Sequence, residues 1–463
     1  MQARQQMYLW DKRTIAMGTS NISRKDFLKN SVFTTLGLGI APSLLAEGNR
    51  PATDASQPLL KGQANSVKLK NVRLETGFEY DGADVIATKT DLFTVEISNG
   101  KFSSIQPNNP KAKAIDAKGL LMLPSFKDMH IHLDKTNYGG PWKAVGKRQG
   151  GVKGMIALEQ QILPEMLKTS TAHAEKLIEL LQSCGSAFAR SHVNIEPTSK
   201  LDSLKHLQVA LENKKATFGA ELVAFPQHGL FYTNSMPYME EAAKMNIDFI
   251  GGVDPYSVDG DIAKPMDAIV KLALDHNKGI DIHLHETGDS GLKTVEYLID
   301  RVNENPVLKG KTYLSHCFVL ARLDKAKQEA VAERLAQAQI GIMSTIPFGG
   351  LIMPIPTLYK YGVKVATGND SIIDHWNTWG SGSVLQKANI MAQLYGWGSE
   401  FNLSRSLKLA TRDVLPLDDK GNQQWPKAGD EGSVVLIDAS CSAEAVSRVS
   451  PVRSLIYQGN IVF

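Results

Sequence analysis

At 463 residues the chain is too long for one ordinary core and fits one large barrel with a smaller satellite domain. Its 43% apolar and 21% charged residues exclude a disordered chain. With 51 Lys and Arg against 48 Asp and Glu, a formal charge of +3 and no basic block, there is no electrostatic case for nucleic acid or an anionic membrane, which leaves a small molecule as partner and a homo-oligomer open.

Residues 1–50 read as an export signal. Ser23-Arg24-Lys25-Asp26-Phe27-Leu28-Lys29 precedes a modest apolar stretch from Val32 to Ala46 that is rich in Leu, Gly and small residues. The basic element is similar to a twin-arginine signal, with Lys25 where the second arginine would stand. This predicts a periplasmic protein; the alternative is a cytoplasmic one in which the segment is an unstructured N-terminal extension or follows from a badly chosen start, with Met17 the true one. The apolar stretch is too short and too interrupted for a stable membrane span, and no later run reaches ~18 continuous apolar residues. Residues 51–65 are polar and read as a linker.

From Val67 the texture changes to short alternating runs, VKLKNVRLE and LFTVEISNGKFSSIQ, with Asn99-Gly100 as a hairpin turn. A matching pair closes the chain, SVVLIDAS and SLIYQGNIVF, with a turn at Gly459-Asn460. Segments 66–123 and 418–463 are therefore expected to pair as a small β-sandwich built from both chain ends, because two separate pieces would each leave open edges. Between them, over 124–417, apolar strand-like runs lie at Met129–Leu133, Arg190–Val193, Leu222–Pro226, Phe249–Val253, Ile280–His283, Thr312–His316, Ile340–Ser344 and Val363–Thr367. Helical periodicity separates them at Thr171–Leu181, Leu201–Leu211, Pro237–Lys244, Pro265–His276, Leu292–Val302 and Lys325–Ala338. Strict alternation predicts a parallel sheet, and eight repeats predict a closed (β/α)8 TIM-type barrel in the α/β class. Cys184, Cys317 and Cys441 stand far apart with no C-x-x-C, which predicts free thiols and excludes the small cysteine-ligated zinc deaminases.

A barrel of this kind carries its chemistry where strands end. Of eleven histidines, His130, His132, His283 and His316 terminate strand-like runs, and Asp370 follows the eighth strand in Gly368-Asn369-Asp370. Residues i and i+2 of a strand face the same way, so His130 and His132 can reach one ion. The same spacing recurs in Asp281-Ile282-His283-Leu284-His285-Glu286, where either histidine is a candidate. His283 comes first, at the strand end, which leaves His285 and Glu286 in the loop and Glu286 above the ion as a general base. Three imidazoles and the Asp370 carboxylate suit one zinc or ferrous ion and suit calcium or magnesium poorly. His192 at the end of the second strand, and His228, His285, His375 and Lys135 near the mouth, are candidates to line the pocket.

The motifs LPSFKDMHIHLDKT, VAFPQ, DIHLHE, YLSH and GND, in this order over roughly residues 66–463, resemble the strand-end motifs of the amidohydrolase superfamily. Within it the likeness is to the cytosine deaminase branch, which includes the N-isopropylammelide amidohydrolases. The resemblance implies that His130, His132, His283 and Asp370 are metal ligands and Glu286 the acid/base. It further implies that Asp370 shares in proton transfer, and that His316 bonds the attacking hydroxide or the developing oxyanion. Gln227 is implied to bind the polar edge of the ring, and Trp376, six positions after Asp370, to close over it.

Two departures bear on substrate. Ser371 stands where the branch has a second aspartate, and His228 where it has an acidic residue. A carboxylate holds a protonated ring nitrogen by a charge-assisted bond of ~1.5–3 kcal/mol, which serine cannot supply, so cytosine itself is not the expected substrate. The fourth strand end, Ile250-Gly251-Gly252-Val253-Asp254, lacks the lysine that bridges two metals in other members, which predicts a single ion. The expected activity is hydrolytic deamination of a pyrimidine-, triazine- or purine-like ring, with Gln227, Ser371, Trp376 and His228 against the substrate. The alternatives are a cyclic or acyl amide hydrolase on the same scaffold and a non-catalytic periplasmic metal or ligand binder; the latter would need neither Glu286 nor His316.

Overall fold

A computed structural model of the protein describes residues 65–146 and 150–463. The export-signal-like segment and nearly all of the linker lie outside the described residues. No helix among those described is long and apolar enough to cross a membrane.

The chain opens with β1 (Ser66–Asp81), β2 (Asp84–Ser98), β3 (Lys101–Pro107), β4 (Ile115–Asp116) and β5 (Leu121–Pro124). It then enters eight further strands: β6 (Phe126–Ile131), β7 (Ser186–Asn194), β8 (Gly219–Phe225), β9 (Phe249–Val253), β10 (Gly279–Leu284), β11 (Thr312–His316), β12 (Ile340–Ser344) and β13 (Val365–Thr367). It returns through β14 (Val434–Ile437), β15 (Val452–Tyr457) and β16 (Asn460–Ile461).

Both chain ends meet in one hydrogen-bonded sheet, ordered β16-β15-β14-β5-β1-β2-β3 with β4 on β1. The link is β14 running antiparallel to β5, with Val435 opposite Leu123. Alternation buries Leu69, Leu74, Ile97, Phe102, Leu436 and Ile456 in a single core, so strands from both ends share one apolar interior. Asn99 and Gly100 both take positive φ, 50° and 75°, the turn that matches strand twist. At the other hairpin the two left-handed positions are Gln458 and Gly459, so that turn lies one residue earlier than its Gly-Asn pair suggests. Gln458 supplies the first positive φ, a position more often given to Asn or Gly.

The second sheet is the expected parallel barrel, its strands neighbours in chain order from β6 to β13. It closes at a bridge between Ile131 and Asp370. There Asp370 N–H donates to His130 C=O at 2.7 Å and His132 N–H donates to Asp370 C=O at 3.1 Å. The Gly-Asn-Asp triplet is what lets the seam form. A Cβ on Gly368 would fall on the backbone N and O of His130 and 2.5 Å from Asp128 Oδ1. Asn369 staples the seam to strand one, its N–H donating to Asp128 Oδ1 at 3.1 Å and its amide to Asp128 Oδ2 at 2.7 Å. Burial raises the Asp128 carboxyl to about 6 against these bonds.

Helices at Ser170–Ser183, Asp202–Lys214, Ala263–Asp275, Asp289–Glu304 and Lys325–Gln337 cover the barrel close to their predicted places. A further helix, α1 (Gly151–Met166), lies between β6 and β7 and was not predicted. Its glycines and internal Pro164 blur the helical period.

Candidate active site

The strand ends bring the candidate ligands together. His130 Nε2 lies 3.4 Å and His132 Nε2 3.5 Å from Asp370 Oδ1. His283 Nε2 faces His132 Nε2 at 3.4 Å. All three rings are buried, and His130 Nε2 has no hydrogen-bond partner. Imidazole nitrogens packed edge to edge without partners are costly unless a cation takes their lone pairs. The donor set fits one divalent ion of the zinc or ferrous type. The environment also suits ligation: mainly through burial, His132 is pushed down to about 4 and His283 well below its ordinary value, so both rings are neutral.

His192 belongs to this cluster as well. Fully buried and one strand along from His130, its ring lies 4.4 Å from that of His130 and 4.3 Å from that of His283. His130, His192 and His283 alone could also offer three nitrogens to an ion. Both His192 nitrogens lack partners, and Nε2 sits 3.9 Å from Asp281 Oδ2. Phe225 stacks on His283 at 4.0 Å and gives the cluster an apolar wall.

Asp254, at the end of β9, arranges the next loop. It takes φ 35°, a strained value for a non-glycine residue of the kind found at functional sites. Its Oδ1 accepts the N–H of His285 at 2.6 Å and of Glu286 at 3.2 Å, while Oδ2 lies 2.8 Å from His285 Nδ1. Burial opposes a charge on His285, but this carboxylate outweighs it and raises its pKa. Glu286 is buried, with Oε1 fixed by the Ser257 N–H at 2.8 Å and Oε2 without a protein partner. His316, also left-handed at φ 64°, is buried with both nitrogens unpartnered. Its ring lies 4.3 Å from His285 and 4.7 Å from His130, and burial holds it neutral.

On the other side of the mouth Lys135 is almost wholly buried, and its ammonium donates to Gln227 Oε1 at 2.6 Å and Asn194 Oδ1 at 3.2 Å. Its counter-charge is Glu159 of α1, at 3.7 Å. Glu159 is the hub of this side. It accepts from Trp376 Nε1 at 3.1 Å and from the Asn194 amide, and lies 3.0 Å from His375 Nε2. Burial alone would raise its pKa, but Lys135 and then His375 hold it well below the usual carboxylate range.

The remaining predicted positions fall nearby. His228 is buried, with Nδ1 3.2 Å from Glu196 Oε2 and Nε2 3.8 Å from Glu159 Oε1. Ser371 is buried against Asp374. Cys184, Cys317 and Cys441 are free thiols.

Sequence reasoning missed Glu159, Asp254, Asp281 and Ser315, whose hydroxyl lies 2.9 Å from His130 Nδ1. Only Asp281 carried a signal, since it sits two residues before His283 on the same inward face.

The sequence matches the Amidohydrolase family over residues 184–463. It is 50% identical over 400 residues to the Escherichia coli (strain K12) protein YahJ, covering 85% of this chain and 87% of that one. It is 26% identical over 355 residues to N-isopropylammelide isopropyl amidohydrolase of Pseudomonas sp. (strain ADP), covering 75% and 87%. The fold superposes on the crystal structure of N-isopropylammelide isopropylaminohydrolase from Burkholderia multivorans ATCC 17616 with a TM-score of 0.73 at 24% identity, over 86% of this chain and 98% of that one. The chain therefore belongs to the amidohydrolase family and is a hydrolase of carbon–nitrogen bonds.

Proposed function

We propose that the protein is a metal-dependent deaminase of a nitrogen heterocycle other than cytosine. The observation that carries this is the meeting of three buried imidazoles and the Asp370 carboxylate at the barrel seam, where His130 and His132 approach Asp370 at 3.4 and 3.5 Å and His283 approaches His132 at 3.4 Å. His130, His132, His283 and Asp370 would hold one zinc or ferrous ion. When bound, the ion supplies the Lewis acidity that makes water nucleophilic near neutral pH.

The protein's own groups do the rest. Glu286, anchored through Oε1 and free at Oε2, takes the proton from the attacking water, with Asp370 beside it, and delivers it to a ring nitrogen or the departing amine. His316, neutral and unpartnered, donates to the oxygen on which charge develops. Lys135 occupies the carbonyl of Gln227, so the Gln227 amide turns its N–H groups toward the ring. The result is a polar wall of donors that favours a ring edge rich in oxo groups or bare nitrogens. Trp376, pinned by Glu159, covers the ring face. Ser371 offers no charge to a protonated ring nitrogen. Residues 1–50 would carry the enzyme to the periplasm, and recovery of a shortened chain from that compartment tests this.

The functional test is an ammonia-release screen of metal-replete protein against cytosine, isoguanine, creatinine, pterins and substituted triazines. Release from a heterocycle other than cytosine is the expected result. Cytosine as the best substrate would overturn the reading of Ser371, and ring opening without ammonia would move the assignment to a cyclic amide hydrolase. Glu286→Gln is expected to keep its metal and lose turnover. Wild-type protein without metal by elemental analysis would end the metal assignment.

A further inference from the structure

We propose that Ser315 and Asp281 form a positioning relay that fixes His130 in the tautomer able to bind metal through Nε2. The proposal rests on the metal reading of the site and extends it to residues that touch neither ion nor substrate. His130 Nδ1 lies 2.9 Å from Ser315 Oγ, and Ser315 Oγ lies 2.6 Å from Asp281 Oδ1. A serine hydroxyl has one proton to give. A carboxylate can only accept, so the hydroxyl proton points to Asp281 and only a lone pair of Oγ faces the imidazole. Nδ1 must therefore carry the ring proton, and Nε2 is left with its lone pair aimed toward Asp370 Oδ1, 3.4 Å away.

The acceptor end of this chain cannot reverse. Arg190 Nη1 donates to Asp281 Oδ2 at 3.0 Å, so both Asp281 oxygens are engaged as acceptors, one by the guanidinium and one by Ser315. Arg190 is itself immobile: fully buried, stacked 4.0 Å from the Phe249 ring and 4.2 Å from Tyr313, and tied to Glu221 through Nε at 2.9 Å. The strands explain the placement. Asp281 lies two residues before His283 on β10, and Ser315 pairs with His283 across β10 and β11. The barrel register thus sets Ser315 beside His283 and Asp281 one inward position before it. A carboxylate acting through a hydroxyl also makes the imidazole a better donor to metal, and loss of such outer partners typically weakens binding ~10–100-fold.

The test uses the full chain, stripped of metal and titrated with Zn2+ against a chromophoric chelator, with the Co2+ absorption spectrum as a second readout. Ser315→Ala is expected to weaken Zn2+ binding about 10–100-fold and to alter the Co2+ bands, while thermal unfolding shows a folded protein. Asp281→Asn is expected to act in the same direction. Should Asp281→Asn fail to fold, Ser315→Ala, which removes a single oxygen, decides the matter alone. A Ser315→Ala protein with wild-type Zn2+ affinity and an unchanged Co2+ spectrum would overturn the relay and leave the metal site standing. Wild-type protein that binds neither ion would instead overturn the site reading beneath it.

Discussion

Replacing Gly368 by alanine probes the seam that assembles the site. The added Cβ would overlap the backbone N and O of His130 and reach 2.5 Å from Asp128 Oδ1. Backbone cannot rotate away as a side chain can, so the first and last barrel strands must part. Overpacking of this kind costs about 1–3 kcal/mol. Parting the strands also strains the two Asp370 backbone bonds to His130 and His132, each worth about 0.5–1.5 kcal/mol. The expected loss is therefore about 2–6 kcal/mol in urea unfolding of the metal-free protein. Zn2+ affinity should fall in parallel, because the same bonds set Asp370 against His130. Gly398→Ala is the control: nothing lies within 4 Å of a Cβ there, and its stability should stay within about 0.5 kcal/mol of wild type. A Gly368→Ala protein as stable as that control, with wild-type metal affinity, would refute the account of the seam.

Acid should unfold the metal-free protein in a definite window. His132 falls from 6.5 to about 4 on folding, so between these values the unfolded chain binds a proton that the folded one refuses. Stability from this group is complete above about pH 6.5 and is lost as pH falls toward 4, by about 3 kcal/mol in all. Urea midpoints that stay level from pH 7 to pH 4.5 would contradict a buried neutral His132. Glu159→Ala leaves Lys135 buried without its counter-charge and should cost about 3–5 kcal/mol. Near-neutral change in urea unfolding would mean that Lys135 does not depend on it. His192→Asn should retain one metal per chain by elemental analysis, because the four proposed ligands remain; a metal-free product would make His192 a ligand.

The barrel was legible because its strands are apolar runs with polar groups only at their ends. β9, β11 and β12 fall on their predicted residues, since nothing in those segments competes with the signal. The candidate ligands were legible for the same reason, as histidines rarely close apolar strands. What escaped depends on pairing between segments distant in sequence. Ser315 reads as an ordinary strand residue until the β10–β11 register sets it opposite His283. Glu159 sits in a helix whose glycines and Pro164 hide its period, and its partners come from four other segments of the chain. Asp254 was noticed only as the absence of a lysine, while its work depends on an unusual φ that composition does not reveal. The turn at Gln458-Gly459 shows the same limit on a smaller scale.

Because Asp370 meets His130 only across the Ile131–Asp370 bridge, the centre spans nearly the whole length of the barrel segment. A nascent chain that has made seven strands possesses three of the four proposed ligands and no closed ring to hold them. On the proposed metal reading, capture of the ion would thereby be tied to the last strand, and a product truncated before residue 370 would lack both the enclosure and the carboxylate. Loading of the ion would serve as a report that the barrel has closed.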